Sequence, residues 1–135
     1  MKTVTTWNGD LAFNSTFDGH SIALNGASDE NGTRLGYSPK ALLLSGLAGC
    51  SGIDVVEILT KMRVPFTKLE ILAEADQTDE HPRVFEDIHI TYKADVTEDG
   101  LDKLKRAIDL SIGKYCGVAA MLSKNSTIHT NAESL

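Results

Sequence analysis

The sequence predicts an α+β fold with a mainly antiparallel sheet, in the element order βββ-α-ββ-α-α-β. Three observations predict it. The first 24 residues alternate between turn signals about ten residues apart. A long apolar run then opens with clear helix-start residues. Two further alternating segments follow it, and a second capped helical stripe comes after them.

Residues 2–24 read as a three-stranded meander. Asn8-Gly9-Asp10 and Asp18-Gly19 are its turns, and Leu11, Phe13 and Ser15 alternate with polar or small residues between them. Residues 25–37 are loop-like. Ser38 is then a good N-cap and Pro39 suits the first helical position. Val64-Pro65 disfavours continuation, so the helix is expected to run to about Arg63. At about 1.5 Å per residue it would be roughly 39 Å long. A domain of this size has a radius of gyration of about 14 Å, so the helix would cross it. Through its first half it is apolar nearly all round, which predicts a buried, central helix.

Phe66 to Gln77 and Phe85 to Asp95 alternate as strands, joined by the turn Thr78-Asp79-Glu80-His81-Pro82. Thr97 caps a second helix, with Glu98 and Asp99 in its first turn and Leu101, Leu104, Ile108 and Ile112 as its stripe. A short third helix is expected over about Cys116 to Ser123, and a last strand over Ser126 to Glu133.

At 135 residues the chain is expected to be a single domain, 1–135. Apolar residues make up 41% and charged residues 24%, a balance that builds a core and argues against disorder. The net charge is −6 and the 13 basic residues are dispersed, so no phosphate-tracking surface is expected and nucleic acid is not a partner. The N-terminus lacks an apolar signal segment. The apolar stretch from Ala41 to Val56 is broken by two serines, three glycines and Asp54, which reads as too short and too polar for a membrane span. A cytoplasmic location follows. There, two cysteines are free or redox-active rather than a structural staple. His20, His81, His89 and His129 form no ligand motif, so no metal is expected.

The chemistry concentrates on those cysteines. Cys50 lies mid-helix, ringed by Gly46, Gly49 and Gly52 at every third residue. Each glycine costs roughly 1 kcal/mol against alanine in a helix interior, so about 3 kcal/mol must be offset. Close packing against a neighbouring element would do so. So would a substrate needing room at the thiol. Cys116 opens the third predicted helix beside Lys114, where free N–H groups and positive charge favour a thiolate. Asp54 and Glu57 stand at i+4 and i+7 from Cys50, on its face of the helix. A carboxylate there raises a thiol's pKa, unless both carboxylates pair with cations or face solvent. Candidate cations are Arg34, Lys40, Lys61 and Arg83.

Ser38-Pro-Lys-Ala-Leu-Leu-Leu-Ser-Gly-Leu-Ala-Gly-Cys50 resembles the cysteine-bearing helix of the OsmC/Ohr proteins, the osmotically induced and organic hydroperoxide resistance proteins. Tyr115-Cys116-Gly-Val-Ala resembles their second cysteine segment, and the element order fits from residue 2 to 134. The resemblance implies an intertwined homodimer, with sheets wrapped around long central helices and two sites at the subunit interface. It implies a peroxidatic Cys50 that becomes a sulfenic acid on attacking a small peroxide, and a Cys116 that resolves it as a disulfide. An external dithiol then reduces the pair, and no cofactor is required.

The sequence departs from the family in one respect. Active members use an arginine from the N-terminal strands and a glutamate ten residues before the first cysteine. Lys40 occupies the glutamate position, and no arginine precedes Arg34. This looks like an OsmC-like branch carrying Gly-Cys-Ser-Gly-Ile-Asp-Val-Val, in which Arg34 or Lys40 would supply the positive charge. The leading expectation is a thiol peroxidase for organic hydroperoxides and hydrogen peroxide. The alternatives are a small-molecule-binding or redox-sensing protein on the same scaffold, and a structural pair of buried thiols.

Overall fold

The computed structural model describes residues 1–135. They divide into two compact units, Met1–Leu43 and Leu44–Leu135.

The first unit carries strands β1 (Val4–Trp7), β2 (Ala12–Phe17) and β3 (His20–Asn25), paired antiparallel in sequence order. Both expected turns are present. At the second, Asp18 and Gly19 have φ of 45° and 80°, and Phe17 pairs with His20. This is the two-residue hairpin whose twist suits adjacent strands, and Asp-Gly populates it readily. The loop that follows is organised by Asp29, whose Oδ1 accepts from the N–H groups of Asn31 and Thr33 at 2.9 Å.

Helix α1 (Pro39–Lys61) starts where its N-cap and proline place it. It stops two residues short of the expected Arg63, because Arg63 itself turns left-handed at φ 57°. The Val64 N–H bonds back to the Leu59 carbonyl at 3.0 Å, the six-to-one closure that ends many helices. At 23 residues α1 is long and apolar enough by composition to cross a bilayer, contrary to the expectation from the shorter run. Its stripe Leu47, Ser51, Val55 and Leu59 packs into the protein core instead.

The second unit holds a mixed sheet, β4 (Leu69–Gln77), β5 (Phe85–Ala94) and β6 (Thr127–Ser134), with β5 in the centre. β4 and β5 are antiparallel, while β6 returns parallel to β5 in the register His89 to His129. A parallel return requires a crossover. It is made by α2 (Glu98–Leu110), a π-helical turn (Ser111–Tyr115) and α3 (Gly117–Leu122). The Thr97 side chain caps α2 by accepting from the Gly100 N–H at 3.2 Å. Inward-facing Ile88, Ile90, Tyr92 and Ala94 of β5 meet Leu104, Ala107 and Ile108 of α2 and the stripe of α1 in one core. Phe85, out of phase with that face, is also buried, and a register shift between Ala75 and Gln77 lies opposite it. Asp95 ties the ends of β4 and β5 together by accepting from the N–H groups of Thr67 and Lys68 and the Thr67 hydroxyl.

The α+β class and the element order are as the sequence predicts. A further expectation for the long helix fails. The long helix is not buried all round: Leu43, Ile53 and Val56 are exposed. An apolar circumference predicts burial only where something covers it, and this chain covers one stripe.

Candidate functional site

Cys50 sits mid-way along α1, half-buried, and Cys116 is buried at the N-cap of α3. They are 66 positions apart in sequence, yet the thiols are close enough for Cys50 to act on the ionisation of Cys116. Neither is in a disulfide. The Cys116 Sγ also accepts from the Ala119 N–H at 3.3 Å.

Helix-start geometry predicts a thiolate at Cys116, and the structure corrects this. Burial, with a smaller contribution from the neighbouring Cys50, raises its pKa to about 11. The backbone N–H groups of Ala119 and Val118 pull the other way and are outweighed. Cys116 is therefore a neutral thiol at physiological pH. Lys114 offers no counterweight. Its ammonium lies over the Tyr115 ring, 5.3 Å from the centroid.

Around the thiols runs a set of buried hydroxyls absent from the sequence reading. The Tyr92 hydroxyl on β5 and Ser51 Oγ on α1 are 2.7 Å apart, and both residues are inaccessible to solvent. Burial pushes the Tyr92 phenol up to about 12, against the opposing effect of its Ser51 hydrogen bond, and Cys116, Asp54 and Cys50 are close enough to act on it. Ser111, the first residue of the π-turn, is fully buried as well. Its hydroxyl donates to Asp54 Oδ2 at 2.8 Å and approaches the Ser51 carbonyl at 3.4 Å. The Ser111 carbonyl accepts from the Cys116 N–H at 2.8 Å. Tyr92 was legible as an inward phenol in need of a partner. Ser111 had no local signal, because π-turns have no composition of their own.

Of the remaining candidates, Asp54 joins this group through Ser111. Asp54 is half-buried, and its partner is the Ser111 hydroxyl rather than a cation. Glu57 faces solvent, 4.0 Å from Lys61 Nζ, which accounts for both. Arg83 is exposed in the β4–β5 linker. Arg34 is exposed in the first unit, where its Nη1 donates to the Gly26 carbonyl at 3.4 Å. Lys40 is in the first turn of α1 and half-buried. The glycines divide. A Cβ on Gly52 would lie 2.7 Å from Ile71 Cδ1 of β4, so close packing explains it, whereas a Cβ on Gly46 or Gly49 would meet nothing within 4 Å. A groove of about 340 Å³ opens beside Asp54, floored by Ile58, Met62 and Leu110 and flanked by Tyr115.

The sequence profile of the OsmC family, described as OsmC-like protein, matches residues 30–131. Protein YhfA of Escherichia coli (strain K12) is 34% identical over 125 residues, covering 92% of this chain and 90% of its own. The chain belongs to the OsmC family. A solved structure of a hypothetical protein from Aquifex aeolicus VF5 matches at TM-score 0.85 and 28% identity, over 99% of this chain and 95% of that one. An organic hydroperoxide resistance protein from Elizabethkingia anophelis shares the fold at TM-score 0.76 and 10% identity, over 98% of this chain and 94% of that one. A protein named for hydroperoxide resistance thus shares the fold, and in this OsmC-family chain Cys50 lies close enough to act on the ionisation of Cys116.

Proposed function

We propose that this OsmC-family protein is a cysteine-based peroxidase acting on organic hydroperoxides and hydrogen peroxide. The observation that carries the reading is the nearness of the two thiols, Cys50 lying close enough to act on the ionisation of Cys116. The half-buried Cys50 is the attacking sulfur. Its thiolate takes the terminal oxygen of the peroxide, the O–O bond breaks, and the alkoxide leaves as an alcohol after protonation. The Cys50 sulfenic acid then condenses with the Cys116 thiol, forming the disulfide and releasing water. An external dithiol reduces the disulfide by exchange. A neutral Cys116 suits this order, because it does not compete for peroxide in the first step. No bound cofactor enters the cycle.

The working form in this reading is a homodimer. Ile53 and Val56 on α1, and Trp7 and Phe13 in the first unit, are large apolar side chains left open to solvent in the single chain, and a second copy would cover them. Sedimentation of a dimer at micromolar concentration supports this; a monomer contradicts it.

A second reading is favoured by one observation. The family's activating glutamate position holds Lys40, and no arginine lies in the N-terminal strands. On that ground the protein would be a redox-sensing or small-molecule-binding member with little turnover. Steady-state reduction of cumene hydroperoxide, with dithiothreitol as reductant, separates the two readings. The peroxidase turns over, and Cys50→Ser abolishes turnover. Stoichiometric oxidation without turnover favours the sensor.

A further inference from the structure

Asp54 has no part in the thiol chemistry above, yet it belongs to the same hydrogen-bonded group. It stands one helical turn beyond Cys50 on α1. A carboxylate near a thiol opposes ionisation of that thiol, so on electrostatic grounds the position is adverse. What the carboxylate does hold is Ser111. Its Oδ2 accepts from the Ser111 hydroxyl at 2.8 Å. That residue's carbonyl in turn accepts from the Cys116 N–H at 2.8 Å. Ser111 is thus fastened through its side chain to the helix of Cys50 and through its backbone to Cys116.

The segment between is a π-turn, Ser111–Tyr115. Such a turn is less favourable than the α-helix it interrupts and persists where surrounding contacts hold it. In an α-helical continuation the Cys116 N–H would bond to Ile112 rather than Ser111, and Cys116 would be carried round the helix away from its present direction. The buried Ser111 hydroxyl is the contact that fixes the start of the turn to α1.

We propose that Asp54 is a positioning residue: through Ser111 it holds the π-turn that presents Cys116 to Cys50, and so sets how fast and how stably the two sulfurs join. The inference rests on the two-thiol reading above. The group acts through hydrogen-bond acceptance rather than charge, which distinguishes it from an activating carboxylate.

The test compares the full-length protein with Ser111→Ala, Asp54→Ala and Asp54→Asn. Two quantities are read. One is the rate of disulfide closure relative to sulfenic acid formation with cumene hydroperoxide, with the sulfenic acid trapped on Cys50 by dimedone. The other is the equilibrium of the Cys50–Cys116 disulfide with dithiothreitol, which requires no peroxide. Ser111→Ala and Asp54→Ala are expected to slow closure about tenfold relative to the first step. They are expected to weaken the disulfide about tenfold, a potential shift of about 30 mV toward easier reduction. Asp54→Asn is expected to recover most of both, because its amide oxygen still accepts from the serine hydroxyl. Unchanged closure and equilibrium in both alanine variants overturn the proposal. So does an asparagine variant as impaired as the alanine one, since charge would then be the agent. If the wild-type protein forms no sulfenic acid, the peroxidase reading fails, and the dithiothreitol equilibrium still decides the role of Asp54.

Discussion

The two units of this chain reach order by different means. In Met1–Leu43 three strands pair in full register through two tight turns, yet no side chain is buried and Trp7 remains 64% accessible. In Leu44–Leu135 a mixed sheet of the same strand count carries all the buried apolar residues, from Leu47 to Ala119. Strand pairing and turn chemistry specify local geometry, but burial of apolar surface supplies most of the stability. Both cysteines lie in the unit with the core. The two thiols thus lie where side-chain positions are held by packing, while large apolar side chains of the first unit such as Trp7 and Leu11 stay exposed.

The largest expected effect breaks this comparison if it fails. Ile90→Ala removes a side chain buried in the core and is expected to cost about 3 kcal/mol of unfolding free energy, measured by denaturant titration. Phe13→Ala, on a 40% accessible residue of the first unit, is expected to cost less than about 1 kcal/mol at concentrations where the chain is monomeric. Equal losses would show that the first unit has a core of its own.

Burial in the second unit also sets thiol reactivity. With Cys116 raised from an ordinary value of 9.0 to about 11, its thiolate fraction at pH 8 is about a hundredfold below that of an unperturbed cysteine. Peptide-resolved alkylation of the reduced protein by iodoacetamide should find Cys116 slow, with a rate still climbing above pH 10. Because its pKa in the folded state lies above the unfolded value, the associated stability is complete below about pH 9 and is lost as the pH rises through about 11. A rate that levels near pH 7 would contradict the burial.

Ser51→Ala is expected to cost about 2 kcal/mol, because it leaves the buried Tyr92 hydroxyl without its 2.7 Å partner. Adding Tyr92→Phe should recover part of that loss, a non-additivity measured in a double-mutant cycle. Strict additivity would mean the two hydroxyls do not interact.

The smallest effect sharpens the picture at the sheet ends. Asp95 holds the start of β4 to the end of β5, and three hydrogen bonds lower its carboxyl from 3.8 to about 2, the Thr67 hydroxyl contributing most. Its stabilisation is complete above about pH 4 and is lost as the pH falls through about 2. Asp95→Asn should flatten the acid limb of the stability profile over that window, read by circular dichroism in dilute denaturant.

Much of this architecture is written locally. Asp18-Gly19 specifies its hairpin, Ser38-Pro39 starts α1, and Thr97 with Glu98 and Asp99 starts α2. The alternation of Phe85 to Asp95 predicted a strand, and its Ile88, Ile90, Tyr92 and Ala94 face is the one the structure buries. Three features were not legible. The early end of α1 depends on the left-handed conformation of Arg63, a residue with no strong preference for it. The parallel return of β6 depends on where the crossover delivers the chain. The π-turn depends on Ser111 finding Asp54, 57 positions away. The same gap governs the site. Cys50, Cys116 and Asp54 were identifiable by residue type and spacing, but Ser51, Tyr92 and Ser111 acquire their roles only from long-range contacts. The thiolate expected at Cys116 failed for a related reason, since a helix start is local and desolvation is not.

The most direct test of the central claim is the intact mass and free-thiol count of the reduced protein after one equivalent of cumene hydroperoxide. The account predicts the rapid loss of two hydrogens and both thiols in the wild-type chain, and a trappable sulfenic acid on Cys50 in Cys116→Ser. Unchanged mass with both thiols still titratable after prolonged exposure would contradict it.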